Sequence, residues 1–220
     1  MALALPRFED PPDIQHDASL LDLRFASLLP LAEWNALPAP IRQRFSKRLA
    51  GGRTAVYVGG VVETKLTWVG RLFGFLARLI GGPLPTSSDP GPAVVSVTED
   101  AGSGGQIWTR LYARRSGFPQ IIHSAKSFAG PTGLEETVGH GVGMALRLEV
   151  REGALLFHSA GYYLRIGGLR VPLPGWIAPG AITVTHREAG EGRFQFVLDV
   201  DHPRFGRIIQ QTAIFREAKL

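Results

Sequence analysis

In the second half of the chain, apolar residues recur at every other position. Val142, Met144, Leu146, Leu148 and Val150 alternate with Arg147, Glu149 and Arg151, and Phe194, Phe196, Leu198 and Val200 alternate with Arg193, Gln195 and Asp199. A period of two puts each set on one face of a strand, so the pattern predicts a sheet with one dry and one wet face. Strands are expected at about 107–114, 120–128, 142–151, 154–166, 181–188, 193–201 and 207–216, after a shorter one at Val94–Thr98. Glu152-Gly153 can form a two-residue turn, which predicts Val150 opposite Leu155, Leu148 opposite Phe157 and Val142 opposite Tyr163.

The first fifty residues carry a helical pattern instead. Leu20, Leu21, Leu23, Phe25, Leu28 and Leu29 run up to a break at Pro30, and Ile41, Phe45 and Leu49 repeat at four, with Pro40 in a first-turn position. Gly51-Gly52 ends this region. Val56, Val58, Val61 and Val62 then predict a strand, turn and strand over 53–65, or one strand with a bulge at Gly59-Gly60. The most apolar segment, Leu66 to Ile80, follows, with Trp68, Leu72, Phe73 and Leu76 on it and only Arg71 and Arg78 charged. It is too short for an ordinary membrane span. It reads as a core helix against the sheet; the alternatives are a helix lining a ligand pocket, with Trp68, Leu72, Phe73 and Leu76 as its candidate lining, and an interfacial membrane anchor.

These elements predict an α+β, mainly antiparallel β fold, in which a curved sheet, half-barrel or barrel-like, wraps around the apolar helix behind a helical N-terminal segment. The expected organisation is an N-terminal tail at 1–18 and one domain at 19–220: helical over 19–50, the strand pair at 53–65, the helix at 66–80 and a meander over 93–216. At 220 residues the chain can bury roughly 70% of its unfolded surface, so it needs no metal or disulfide to hold a core.

Composition narrows the function classes. There are no cysteines, which removes disulfides, thiolate metal sites and cysteine nucleophiles. The net charge of +5 is a small excess spread along the chain. Arg42, Arg44, Lys47 and Arg48 read as a solvated helix face rather than a phosphate-binding patch. Neither a zinc-finger spacing nor an RNA-binding aromatic motif occurs, which argues against nucleic acid as a partner. Pro6, Arg7, Glu9 and Asp10 interrupt the apolar start before a signal-peptide core could form, and a cytoplasmic protein is expected.

Chemistry is sparse. No Gly-x-Ser-x-Gly elbow is present, and Ser103, within Ala101-Gly102-Ser103-Gly104-Gly105, reads as part of a glycine linker. Six histidines form no metal-ligand pair by spacing, so neither a metal nor a cofactor is expected; His202, before Pro203, reads as structural. Glu135 and Glu136 lie close to His140 at a strand entrance. A glutamate pointing into an apolar pocket would gain acid–base capacity, whereas one pairing with Arg110 or Arg147 would be structural. Trp108, Arg110, Tyr112 and Arg114 share a strand face, so Arg110 suits either a buried ion pair with Glu135 or recognition of an anionic head group. The candidate ligand residues are therefore Arg110, Trp108, Tyr112, Glu135, Glu136 and His140.

Four segments carry a family resemblance: Trp108-Thr109-Arg110-Leu111-Tyr112, Gly133-Leu134-Glu135-Glu136, Pro172-Leu173-Pro174-Gly175-Trp176 and His202-Pro203-Arg204-Phe205-Gly206. In this order they resemble the landmarks of the bacterial domain-of-unknown-function family numbered 4166, over roughly residue 25 to the C-terminus. The resemblance brings no activity. It implies that relatives occur alone or behind a Rossmann-type reductase or epimerase domain, although this sequence has no glycine-rich dinucleotide fingerprint. Three functions are expected from the whole reading. The first is a module binding an apolar or lipid-like small molecule in a sheet/helix pocket, with weak peripheral membrane contact as an accompaniment. The second is an accessory domain for a reductase-type protein partner. The third is an enzyme with a Glu/Arg/His site.

Overall fold

The computed structural model describes residues 21–81, 83–167 and 169–218. Eleven antiparallel strands are described: β1 (Thr54–Leu66), β2 (Gly91–Asp100), β3 (Gly105–Tyr112), β4 (Gln120–Ser127), β5 (Glu135–Thr137), β6 (Val142–Arg151), β7 (Ala154–Ile166), β8 (Leu169–Pro172), β9 (Ala181–Gly190), β10 (Arg193–His202) and β11 (Gly206–Glu217). Their order is β6-β5-β4-β3-β2-β1-β11-β10-β9-β7-β8, and β6 also pairs with β7. That last pairing closes ten strands into a barrel and leaves β8 as a flap on the distal half of β7. The favoured expectation of an open half-barrel wrapped around the apolar helix therefore gives way to a sheet closed on itself. Register shifts at Val61/Glu63, Met144/Leu146 and Val200/Asp201 supply local bending, and ten twisted strands carry the two edges together.

The alternation of the strands has become an inside and an outside. Phe194 and Phe215 pair across β10 and β11 and are buried with Tyr57, while Ile209 and Val200 form a second pair further along. Segment 53–65 is one continuous strand rather than a strand pair, and its irregularity lies between Val61 and Glu63 rather than at Gly59-Gly60. At Gly59 a Cβ would overlap the backbone of Ile214 and Phe215 on β11, so this strand can approach its neighbour only without a side chain there. The Glu152-Gly153 turn gives Val150 opposite Leu155 and Leu148 opposite Phe157 as expected. Val142, however, faces Leu164 rather than Tyr163, because the irregularity between Met144 and Leu146 shifts the register by one.

Two helices close one end. The apolar run before Pro30 is not an α-helix among the described residues; it holds a single 3-10 turn at Ala26–Leu28. Pro30 and Pro38 instead take the N-cap positions of α1 (Leu31–Ala36) and α2 (Ala39–Phe45). Trp34, Leu37, Ile41 and Phe45 from this segment are buried with Leu155 and Phe157 of the barrel wall. Arg44, expected on a solvated face, lies with its guanidinium 3.8 Å from the centre of the Phe194 ring. The expected tail at 1–18 lies outside the described residues.

The apolar segment forms α3 (Trp68–Leu76), capped by the Thr67 hydroxyl accepting from the Gly70 N–H, and then a 3-10 turn at Ala77–Ile80. α3 lies beyond the ends of β1 and β11 at the opposite end of the barrel from α1 and α2, with Val69 and Ala77 buried. Its other face is bare: Trp68, Leu72, Phe75, Leu76 and Leu79 are all exposed. The helix is thus a cover at the barrel end rather than a core element. Among the described residues no helix is long and apolar enough to cross a membrane.

Candidate functional site

The closed sheet encloses a cavity of about 540 Å³. Its floor carries Phe45 from α2 and Phe157 and His186 from the wall, and its far end reaches Leu76, Leu79 and Ile80 beside α3 and Ile177 from the loop after β8. Met144, Val184, Phe196 and Leu198 form the apolar wall between them. Such a lumen follows from strand alternation: inward positions of a ten-stranded barrel enclose more space than ordinary apolar side chains fill.

One side of this lumen is polar. β3 and β4 pair Trp108 with Ser124 and Arg110 with Ile122, and β4 and β5 pair Lys126 with Glu136. Trp108, Arg110, Ser124, Lys126 and Glu136 all border the cavity. Lys126 Nζ donates to Glu136 Oε2 at 2.8 Å, Arg110 Nη2 to Glu136 Oε1 at 3.4 Å, and Arg110 Nη1 to Ser124 Oγ at 3.0 Å. Lys126 Nζ also lies 4.9 Å from the centre of the Trp108 ring, a cation–π position. Two cations therefore share one carboxylate inside an apolar chamber.

The electrostatics follow from this arrangement. Burial pushes the Glu136 carboxyl up, but Lys126 and Arg110 together outweigh it and hold its pKa down at about 2. At neutral pH Glu136 has no proton to give. Burial lowers the Lys126 ammonium below the usual lysine value, Glu136 draws it back, and the neighbouring Arg110 lowers it further. The 2.8 Å contact with an ionised carboxylate keeps the ammonium charged. His186, 3% exposed, is held neutral: burial lowers its pKa well below the ordinary value, and the charges of Arg44, Lys126 and Arg110 act in the same direction. Among the described residues its Nδ1 has no hydrogen-bond partner.

Residues 37–215 match the model of the family described as Domain of unknown function (DUF4166). The chain belongs to this family. No curated protein and no solved structure matches it. The match covers β1 to β10 and most of β11 of the DUF4166 barrel, so the cavity and its polar side lie within the family domain.

The sequence-based candidates divide when placed on the DUF4166 barrel. Arg110, Trp108, Tyr112, Glu136 and His140 border the cavity, with His140 exposed at the end near Ile80. Glu135 does not. It points to the outer side of β5, where Arg165 Nη2 lies 2.9 Å from Oε1 and Arg170 Nη2 2.6 Å from Oε2, so it anchors the β7–β8 flap. The expected Arg110–Glu135 pair is consequently Arg110–Glu136, because adjacent strand residues face opposite sides. Arg114 lies past the end of β3 and donates to Thr86 Oγ1. Of the helix candidates, Phe73 and Leu76 border the cavity, while Trp68 and Leu72 are exposed and Trp68 packs against Phe205 instead.

Among the polar cavity residues not singled out from sequence are Lys126, His186 and Gln211. Each had a legible signal. Lys126 shares a face with Ile122, His186 with Ile182 and Val184, and Gln211 with Ile209 and Ala213, so each is a polar side chain at an inward position of its strand. Ser103 closes the β2–β3 turn by donating to Asp100 Oδ2 at 2.6 Å. His202 accepts from the Arg204 N–H at 3.1 Å, a local turn contact. Among the described residues no group of three or more His, Asp or Glu side chains could hold a metal ion.

Proposed function

We propose that the protein binds one apolar, lipid-like small molecule inside the barrel. The observation that carries this reading is the cavity of about 540 Å³, whose size falls in the range of small-molecule sites, roughly 300–1,000 Å³. Its walls are largely apolar, with a few convergent polar groups on one side, which is the usual composition of a site that takes an apolar molecule and orients it. Acid–base chemistry finds less support, because the glutamate that reaches the lumen is held ionised by two cations. No particular contact favours docking on a reductase-type partner.

Native mass spectrometry of gently purified protein, followed by denaturing extraction, tests the reading. The expected result is a small-molecule mass excess that disappears on denaturation and is reduced in Leu164→Trp, which places an indole in the cavity wall. A wild-type protein that carries nothing and, once stripped with solvent, fails to take up an uncharged hydrophobic fluorophore would overturn it.

A further inference from the structure

Charge balance inside the lumen says more about the occupant. Arg110 and Lys126 bring two positive charges to the cavity wall and Glu136 returns one negative charge; His186, bordering the same lumen, is neutral. A guanidinium and an ammonium offer eight N–H donors between them. Among the described residues the acceptors engaged are three: both oxygens of Glu136 and the Ser124 hydroxyl. Both cations are largely withdrawn from water, with side chains only 13% and 7% exposed. A buried charge left without a full set of partners is costly, and one further anion would complete this group.

Resting on the reading of the barrel as an apolar-ligand site, we infer that its occupant is a single-tailed amphiphile with a carboxylate head group, seated with the carboxylate on Arg110 and Lys126 and the tail running toward Leu76, Leu79 and Ile177. Two features select carboxylate. The local excess is one positive charge, which a carboxylate neutralises, whereas a phosphate monoester carries about −1.5 to −2 at pH 7 and would overshoot it. The planar fork of a guanidinium also matches the two oxygens of a carboxylate. The remaining wall is largely apolar, with Met144, Val184, Phe196 and Leu198 between the cations and the α3 end, so a head group held at Arg110 directs the tail outward.

The test compares three probes with the same tail on solvent-stripped protein by displacement of an uncharged fluorophore: hexadecanoic acid, hexadecanol and hexadecyl phosphate. The acid is expected to bind at least about tenfold more tightly than the alcohol, equivalent to about 1.4 kcal/mol. Lys126→Met and Arg110→Met each leave a neutral pair with Glu136, so in either one that folds the acid/alcohol ratio should fall toward one. Equal affinity of the wild type for acid and alcohol overturns the head-group assignment and leaves the apolar site standing. A preference for the phosphate over the acid overturns the carboxylate. Failure of all three probes, and of the fluorophore itself, removes the apolar site along with the head group. The wild-type comparison decides without any variant.

Discussion

Glu136 shows how one residue sets the character of the lumen. Its carboxylate is the only one bonded to Lys126 and Arg110 among the described residues, so Glu136→Gln would leave two buried cations facing each other. Breaking a buried pair in this way costs roughly 3–5 kcal/mol, a fall in Tm on the order of 10 °C for a domain of this size. The pH dependence has a definite sign. Glu136 is lowered from 4.5 to about 2 on folding, so its contribution is complete above the unfolded value and disappears as pH falls toward about 2. Urea midpoints of the wild type and Glu136→Gln should therefore differ most near neutral pH and converge in acid; an offset that stays constant down to about pH 2 would show that Glu136 is not held ionised. At this scale the sequence was readable in part. The alternation of Trp108, Arg110 and Tyr112 disclosed one cation, but Lys126 came to it through the pairing of β4 with β5, a strand of three residues too short to leave a period.

Strands with strong alternation were legible almost to the residue: β6 and β7 occupy the expected ranges, β10 runs one residue further at its C-terminal end, and β11 one residue further at each end. What failed were elements whose form depends on their neighbours. β8 is four residues long and exists only against β7, and the run before Pro30 lacks the length to hold a helix alone. α3 was recognised, but the partner of its apolar face was not, since hydrophobicity reports that a face wants cover and not what covers it. Its two glycines tell more. A Cβ on Gly70 would overlap the carbonyl oxygen of Ile208, and one on Gly74 would come within 2.6 Å of the carbonyl oxygen of Pro85. Alanine favours an isolated helix by about 1 kcal/mol over glycine, yet the backbone atoms opposite cannot retreat as a side chain could. Gly70→Ala is expected to lower stability by roughly 1–3 kcal/mol, read from urea unfolding. Because Phe73 and Leu76 of this helix border the cavity, the same substitution should also weaken uptake of an uncharged fluorophore, and a variant that gains stability would show that α3 does not sit hard against the barrel end.

For the whole molecule, closure and emptiness are linked. A sheet that had curled around α3 would have filled its interior with that helix; a sheet closed on itself leaves a lumen of about 540 Å³. The sequence could not decide between these outcomes, because the same inward-facing apolar residues serve either, and closure depends on the β6–β7 pairing and the bulges that bend the wall. At the Phe45 end Trp34, Leu37, Ile41 and Phe45 pack into the barrel wall, while the α3 end leaves Leu76 and Leu79 exposed beside the cavity, so one end is covered by packed side chains and the other presents an apolar rim. A ligand that binds only the folded state adds RT ln(1 + [L]/Kd), about 2.7 kcal/mol at a hundredfold excess over Kd. For a chain of this size each kcal/mol moves Tm by roughly 2–4 °C, so protein stripped of its occupant should melt on the order of 5–10 °C below the gently purified form and regain the difference when hexadecanoic acid is returned. Leu164→Trp should show a smaller difference before and after the same stripping, since its indole takes up part of the lumen that an occupant would fill. If wild type and variant respond alike, the added stability comes from ligand adsorbed elsewhere, and the lumen is not where it acts.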